Sequence, residues 1–111
     1  MTKEGARKYW EADRVDVPST SVPTLVARLY GGESLTLLSM AGSGKTHYIG
    51  SSKEMSTTRS YALATGTTLT LTMPISFGRL NFIEIWALAE VAGEDICYVK
   101  LIDLYPSTEA G

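Results

Sequence analysis

The chain has 111 residues, 44% of them apolar and 20% charged, a composition that fits one folded domain and excludes a disordered segment. Ten Lys and Arg oppose twelve Asp and Glu, so there is no basic footprint for nucleic acid or for an anionic membrane. Cys97 is the sole cysteine, which rules out an intrachain disulfide and a thiolate zinc cluster. No run of about 18 apolar residues could cross a bilayer as a helix, and no signal-like apolar core opens the chain, so the expectation is a soluble protein made in a cytoplasm.

In chain order, residues 1–16 carry Lys3, Glu4, Arg7, Lys8, Glu11, Asp13, Arg14 and Asp16, whose signs cancel, with Tyr9 and Trp10 among them. A helix over 4–14 would have only Ala6, Tyr9, Trp10 and Ala12 for its apolar face. Val17-Pro18-Ser19-Thr20-Ser21-Val22-Pro23 predicts an extended linker, because each proline pushes its predecessor out of the helical region. Residues 1–23 are therefore expected to be a charged N-terminal arm and linker. The arm is either a frayed terminus or a segment that orders on a partner, with Trp10 and Tyr9 as anchors.

Strand patterns separated by turn residues follow. Residues 24–30 are rich in β formers and end at Gly31-Gly32, and residues 34–40 alternate Leu35 and Leu37 with Ser34 and Thr36. A short strand is predicted at 46–49. Eleven of the 22 residues in 51–72 are Ser or Thr, which disfavours helix. The clearest alternation sets Leu69, Leu71 and Met73 against Thr68, Thr70 and Thr72, a half-buried strand. A loop follows at 74–81. Residues 82–90 have helix-forming Ala, Leu and Glu, yet the spacing of Ile83, Ile85, Ala87 and Ala89 favours a strand, with a hairpin turn at 92–95. Residues 96–103 are apolar on both faces, as in a strand covered on both sides or one that meets a partner. Six or more short strands with no convincing helix predict an all-β sandwich or barrel over 24–105, with a polar tail at 106–111.

The candidate chemistry is thin. Ser39-Met40-Ala41-Gly42-Ser43-Gly44-Lys45-Thr46 resembles a phosphate-binding loop, but Ser39 stands where that pattern needs glycine. The residues after Thr46 are poor helix formers, so no helix N-terminus is expected to meet a phosphate, and Asp103 is a weak candidate for a magnesium-positioning acid. The stretch is expected instead to be a hairpin tip with Lys45 in solvent. His47 is the only histidine and is expected to be solvated or structurally bonded. Cys97 is expected to be a small buried hydrophobe. Glu84, Glu90, Glu94 and Asp95 offer carboxylate pairs without an evident cleft. Trp86, Tyr98 and Tyr48 on adjacent strands could make a sugar-stacking platform, although strand aromatics more commonly fill cores. No catalytic, cofactor or metal residue is assigned, and the expected function is non-enzymatic.

Four segments carry a resemblance: Tyr48-Ile49-Gly50-Ser51-Ser52, Gly66-Thr67-Thr68-Leu69-Thr70-Leu71, Ile85-Trp86-Ala87-Leu88-Ala89 and Cys97-Tyr98-Val99. Together they resemble the small β-sandwich virion proteins of tailed bacteriophages. The nearest type is the jelly-roll decoration, or staple, proteins of short-tailed phages of the epsilon-fifteen type. The likeness spans about residues 34–102. It implies a jelly-roll-like β-sandwich with an extended N-terminal arm, on the outer capsid surface of a virion, clamping neighbouring subunits of a phage major capsid protein as a homodimer. It implies no cofactor, and no nucleic-acid or membrane partner. On this expectation Arg7, Tyr9, Trp10 and Arg14 in the arm, with Phe77 and Arg79 in the loop, contact the capsid. A carbohydrate-binding sandwich is the first alternative and a nucleotide-binding protein the second.

Overall fold

The structure, a computed structural model, describes residues 8–103, with side chains from Trp10 to Ile102. Eight strands follow one another: β1 (Lys8–Val17), β2 (Thr24–Tyr30), β3 (Glu33–Ser39), β4 (Thr46–Gly50), β5 (Tyr61–Ala64), β6 (Thr68–Thr72), β7 (Phe82–Ala89) and β8 (Glu94–Asp103). One turn of 3-10 helix, Ile75–Phe77, sits between β6 and β7. The strands form two antiparallel four-stranded sheets, ordered β1-β8-β3-β6 and β2-β7-β4-β5. That is the strand order of an eight-stranded jelly roll, so the expected fold class is the observed one.

Alternation within each strand builds the core. Val15 and Val17 of β1, Leu35 and Leu37 of β3, Leu69 and Leu71 of β6 and Ile96 and Tyr98 of β8 face inward from one sheet. Leu29, Ile49, Leu63, Ile83, Ile85, Ala87 and Ala89 meet them from the other. Leu29, Leu35 and Leu37 are fully buried, each worth about 2–3 kcal/mol over exposure. The ambiguous segment is a strand, because β7 pairs with both β2 and β4 and its odd-numbered residues supply the core. Tertiary context overrides the helical propensity of its Ala, Leu and Glu.

Two expectations need correction. The first concerns the arm, because the sheet begins at Lys8 rather than at Thr24. β1 pairs with β8 continuously from Lys8↔Asp103 to Val17↔Glu94, so the charged stretch from residue 8 onward is strand, neither helix nor loose arm. The physical reason is the pair Val15 and Val17: Val17 is fully buried, and anchoring it brings the preceding residues into the ladder. The linker is also built in: Ser19 Oγ accepts from the amides of Ser21 (3.0 Å) and Val22 (2.8 Å), and Ala89 N–H donates to Ser19 O. Residues 1–7 and 104–111 lie outside the described residues, and so does Arg7.

The second correction concerns the turns. β3 and β4 lie in different sheets, and so do β7 and β8, so neither 41–45 nor 92–95 is a hairpin tip. Both are crossovers between layers. Among the described strands, consecutive β4 and β5 are the ones that pair with each other. Close packing at the β2–β3 crossover explains Gly31: its amide lies 3.2 Å from Gly78 O, and a Cβ there would collide with that carbonyl.

Candidate docking surface

The phosphate-loop candidate resolves at once. Thr46 opens strand β4, which pairs with β5 and β7, so no helix N-terminus faces the glycine-rich turn. The turn closes by Lys45 N–H donating to Gly42 O at 2.9 Å, and Gly44 adopts φ +74, the left-handed region that glycine tolerates. Lys45 itself is exposed.

His47 and Ser39 look at first like a nucleophile and its base, since Ser39 Oγ lies 2.7 Å from His47 Nδ1. The other ring nitrogen, Nε2, lies 3.0 Å from Glu94 O. A carbonyl only accepts, so Nε2 carries the ring proton and Nδ1 accepts from the Ser39 hydroxyl. Ser39 Oγ in turn accepts from Ala41 N–H at 3.4 Å. Both residues are buried, at 0% and 1% exposure, so a substrate has no path to the hydroxyl. The chain of bonds ties β3, β4 and the start of β8 together across the two sheets. The expectation of a structurally bonded histidine holds.

The remaining candidates disperse. Trp86 and Tyr48 lie on the outer face of the β2-β7-β4-β5 sheet, whereas Tyr98 faces the core from the opposite sheet, so the three form no platform. Glu84 is engaged by Arg28 Nε (3.3 Å) and by Trp86 Nε1 (3.2 Å), and Asp95 by Arg14 (3.9 Å). Among the described residues no cluster of three or more His, Cys, Asp or Glu could hold a metal ion. Burial raises the Tyr98 phenol above its usual range, and the negative charges of Glu11 and Asp13 push it the same way.

What stands out is the outer face of the β1-β8-β3-β6 sheet. A solvated antiparallel sheet normally turns polar side chains outward. Here Trp10 opposes Leu101, and Ala12 opposes Val99, while Arg14 opposes Cys97, with Ser34, Thr36 and Leu38 of β3 continuing the three rows. Trp10 is 64% exposed, Val99 45% and Leu101 40%. Met40, at the end of the face, lies against Cys97 Sγ. Cys97 is therefore half-buried on this face rather than a core residue, a correction to its expected burial. Its strand is apolar on both faces because one side fills the core and the other forms this patch.

The patch has the anatomy of a protein interface: an aromatic and aliphatic centre with a polar rim. The rim consists of threonine and serine hydroxyls, with Thr36 Oγ1 3.0 Å from Thr70 Oγ1 and Thr72 Oγ1 3.5 Å from Ser34 Oγ. The Arg14–Asp95 ion pair closes one end.

Of the residues expected to meet a partner, Trp10 and Arg14 thus share this face. Tyr9 is a β1 residue whose side chain lies outside the described set. Phe77 and Arg79 sit apart, in the loop packed on the β2–β3 crossover, where Phe77 is half-buried and Arg79 exposed. Sequence reasoning passed over Val99 and Leu101 as individual contacts, and Leu80, which is 90% exposed in the same loop. The two-sided apolar pattern of β8 was the available signal for the first two. Leu80 had none.

No protein-family model and no curated protein matches the chain. Among solved structures, a subunit described under "Bacillus endospore appendages form a novel family of disulfide-linked pili" is similar at a TM-score of 0.48 and 17% identity, over 94% of this chain and 95% of that one. A likeness of that degree carries nothing about function.

Proposed function

We propose that this chain is a non-enzymatic structural protein that works by attachment, decorating the outside of an icosahedral phage shell. The outer face of β1, β8 and β3 is its docking surface. The observation that carries the proposal is Trp10, 64% exposed, with Leu101 directly opposite and Val99 diagonal to it on a sheet face that water would ordinarily keep polar. Covering an indole of that exposure removes on the order of 100 Å² of apolar surface, or about 3 kcal/mol before ordering costs. That is hot-spot magnitude. The partner class rests on the sequence resemblance to decoration proteins, with which the jelly-roll topology is compatible, and the near-balanced charge suits contact with protein rather than with polyanions.

The test is co-sedimentation of the full chain with assembled shells of a short-tailed phage major capsid protein. Wild-type protein should pellet with the shells and Leu101→Asp should stay in the supernatant. Wild-type protein left in the supernatant would overturn the proposal.

A further inference from the structure

We propose that two copies of this chain join through β6 into one continuous eight-stranded sheet, about a two-fold axis passing beside Thr70. Each sheet has two edges, and three of the four carry features that discourage pairing. β1 bears Glu11, Asp13, Arg14 and Asp16, β2 is bulged between Leu25 and Ala27, and β5 is only four residues long. β6 has no such feature. Thr68-Leu69-Thr70-Leu71-Thr72 is uncharged, contains no proline, and keeps unbroken register with β3 from Leu38↔Thr68 to Ser34↔Thr72.

Its free backbone groups can be assigned. Met73 exchanges bonds with the β3 side, accepting from Gly32 N–H and donating to Glu33 O, both at 2.9 Å, and Thr67 O accepts from Ser39 N–H. Backbone groups alternate in direction along a strand, so the amides and carbonyls of Thr68, Thr70 and Thr72 point to the open edge. The strand also reads identically in both directions. Antiparallel pairing about Thr70 sets it opposite the second copy's Thr70, Thr68 opposite the second copy's Thr72, and Leu69 opposite the second copy's Leu71. Every open backbone group then has a partner. The leucine rows meet in the non-hydrogen-bonded positions, where side chains approach most closely.

The interior beside this edge is also incomplete. A cleft of about 350 Å³ separates the sheets there, lined by Leu69, Leu71, Ile49, Ile83, Ile85 and Tyr61. Tyr61, at its mouth, is 54% exposed. The second copy's Leu69 and Leu71 lie in line with this cleft and close it, and the symmetry makes the closure mutual, as an isologous interface requires. The axis stands perpendicular to the sheet, so both outer faces point the same way. The dimer would then present two Trp10 patches on one face, at the two far ends of the continuous sheet. That consequence rests on the docking role proposed above, whereas the dimer does not.

Sedimentation velocity of the full chain tests it, with two variants. Wild-type protein should sediment at twice the chain mass in the range of about 10–100 µM, dissociating on dilution. Thr70→Pro removes an edge-facing amide without touching the β3 ladder and should halve the sedimenting mass. Thr70→Lys keeps the backbone, sets like charges opposite each other at the axis, and should weaken the dimer several-fold with an unchanged far-ultraviolet spectrum. If the proline variant misfolds, the lysine variant decides. Amide exchange at Thr70 should slow in the dimer and speed up on dilution. A monomeric wild type, or a dimer equally strong in Thr70→Lys, would overturn the proposal whether or not the chain binds a shell.

Discussion

Replacing His47 with leucine keeps the volume of a fully buried side chain while deleting both of its hydrogen bonds. The Ser39 hydroxyl loses its acceptor at 2.7 Å and the Glu94 carbonyl loses its donor at 3.0 Å. Ser39 is 1% exposed, so water cannot replace the lost partner there. Each buried group left unpaired costs roughly 1–3 kcal/mol, offset in part by the apolar gain of leucine, so a net loss of about 2–4 kcal/mol is expected. Removing both side-chain partners should hurt less than the sum. In the Ser39→Ala, His47→Leu double variant the hydroxyl no longer needs satisfying, and about 1–2 kcal/mol should return as coupling. Urea unfolding followed by tryptophan fluorescence and circular dichroism, with slopes held equal among variants, measures all three. His47→Leu within about 0.5 kcal/mol of wild type, or strict additivity with Ser39→Ala, would refute the account of this network.

Three further outcomes follow from the same geometry. Lys45→Ala, at an exposed position in a crossover, should change stability by no more than about 0.5 kcal/mol in the same urea assay. Deleting residues 1–16 removes nearly all of β1, including Val15, and leaves β8 unpaired on one side, so it should abolish cooperative unfolding rather than trim a dispensable arm. The Tyr98 phenol has its folded pKa raised, so its neutral form is favoured in the native state. The stability this contributes is present below the unfolded value of about 10 and is lost as pH rises through the folded one. The alkaline fall in urea midpoint should therefore be shallower in Tyr98→Phe, and an identical fall would contradict the assignment.

The fold was legible from period-two alternation. Leu69, Leu71 and Met73 against their threonines, and Ile85 and Ala87 in the segment that could have been helical, were enough for an all-β sandwich. The pairing of strands was not legible, because turn residues specify that a chain reverses and not which layer it enters. Gly42, Gly44 and Gly93 serve crossovers here, yet they read equally well as hairpin signals. β1 escaped detection for a related reason. Its charges are what an edge strand carries to discourage pairing, and in isolation they look like a solvated arm. The docking face was half legible: Trp10 and Arg14 could be picked as interface residue types, but their alignment with Val99 and Leu101 exists only once β1 and β8 are in register. Phe77 and Arg79 were chosen on type alone, and the fold sets them in a separate loop.

The docking claim is tested most directly by the environment of Trp10 itself. In a Trp86→Phe background, Trp10 becomes the sole tryptophan of the chain, 64% exposed in the free protein. On titration with shells its emission should shift to the blue and its quenching by iodide should fall, in step with the bound fraction. A chain that binds the shell while the emission and quenching of Trp10 stay unchanged would place the interface elsewhere and contradict the account.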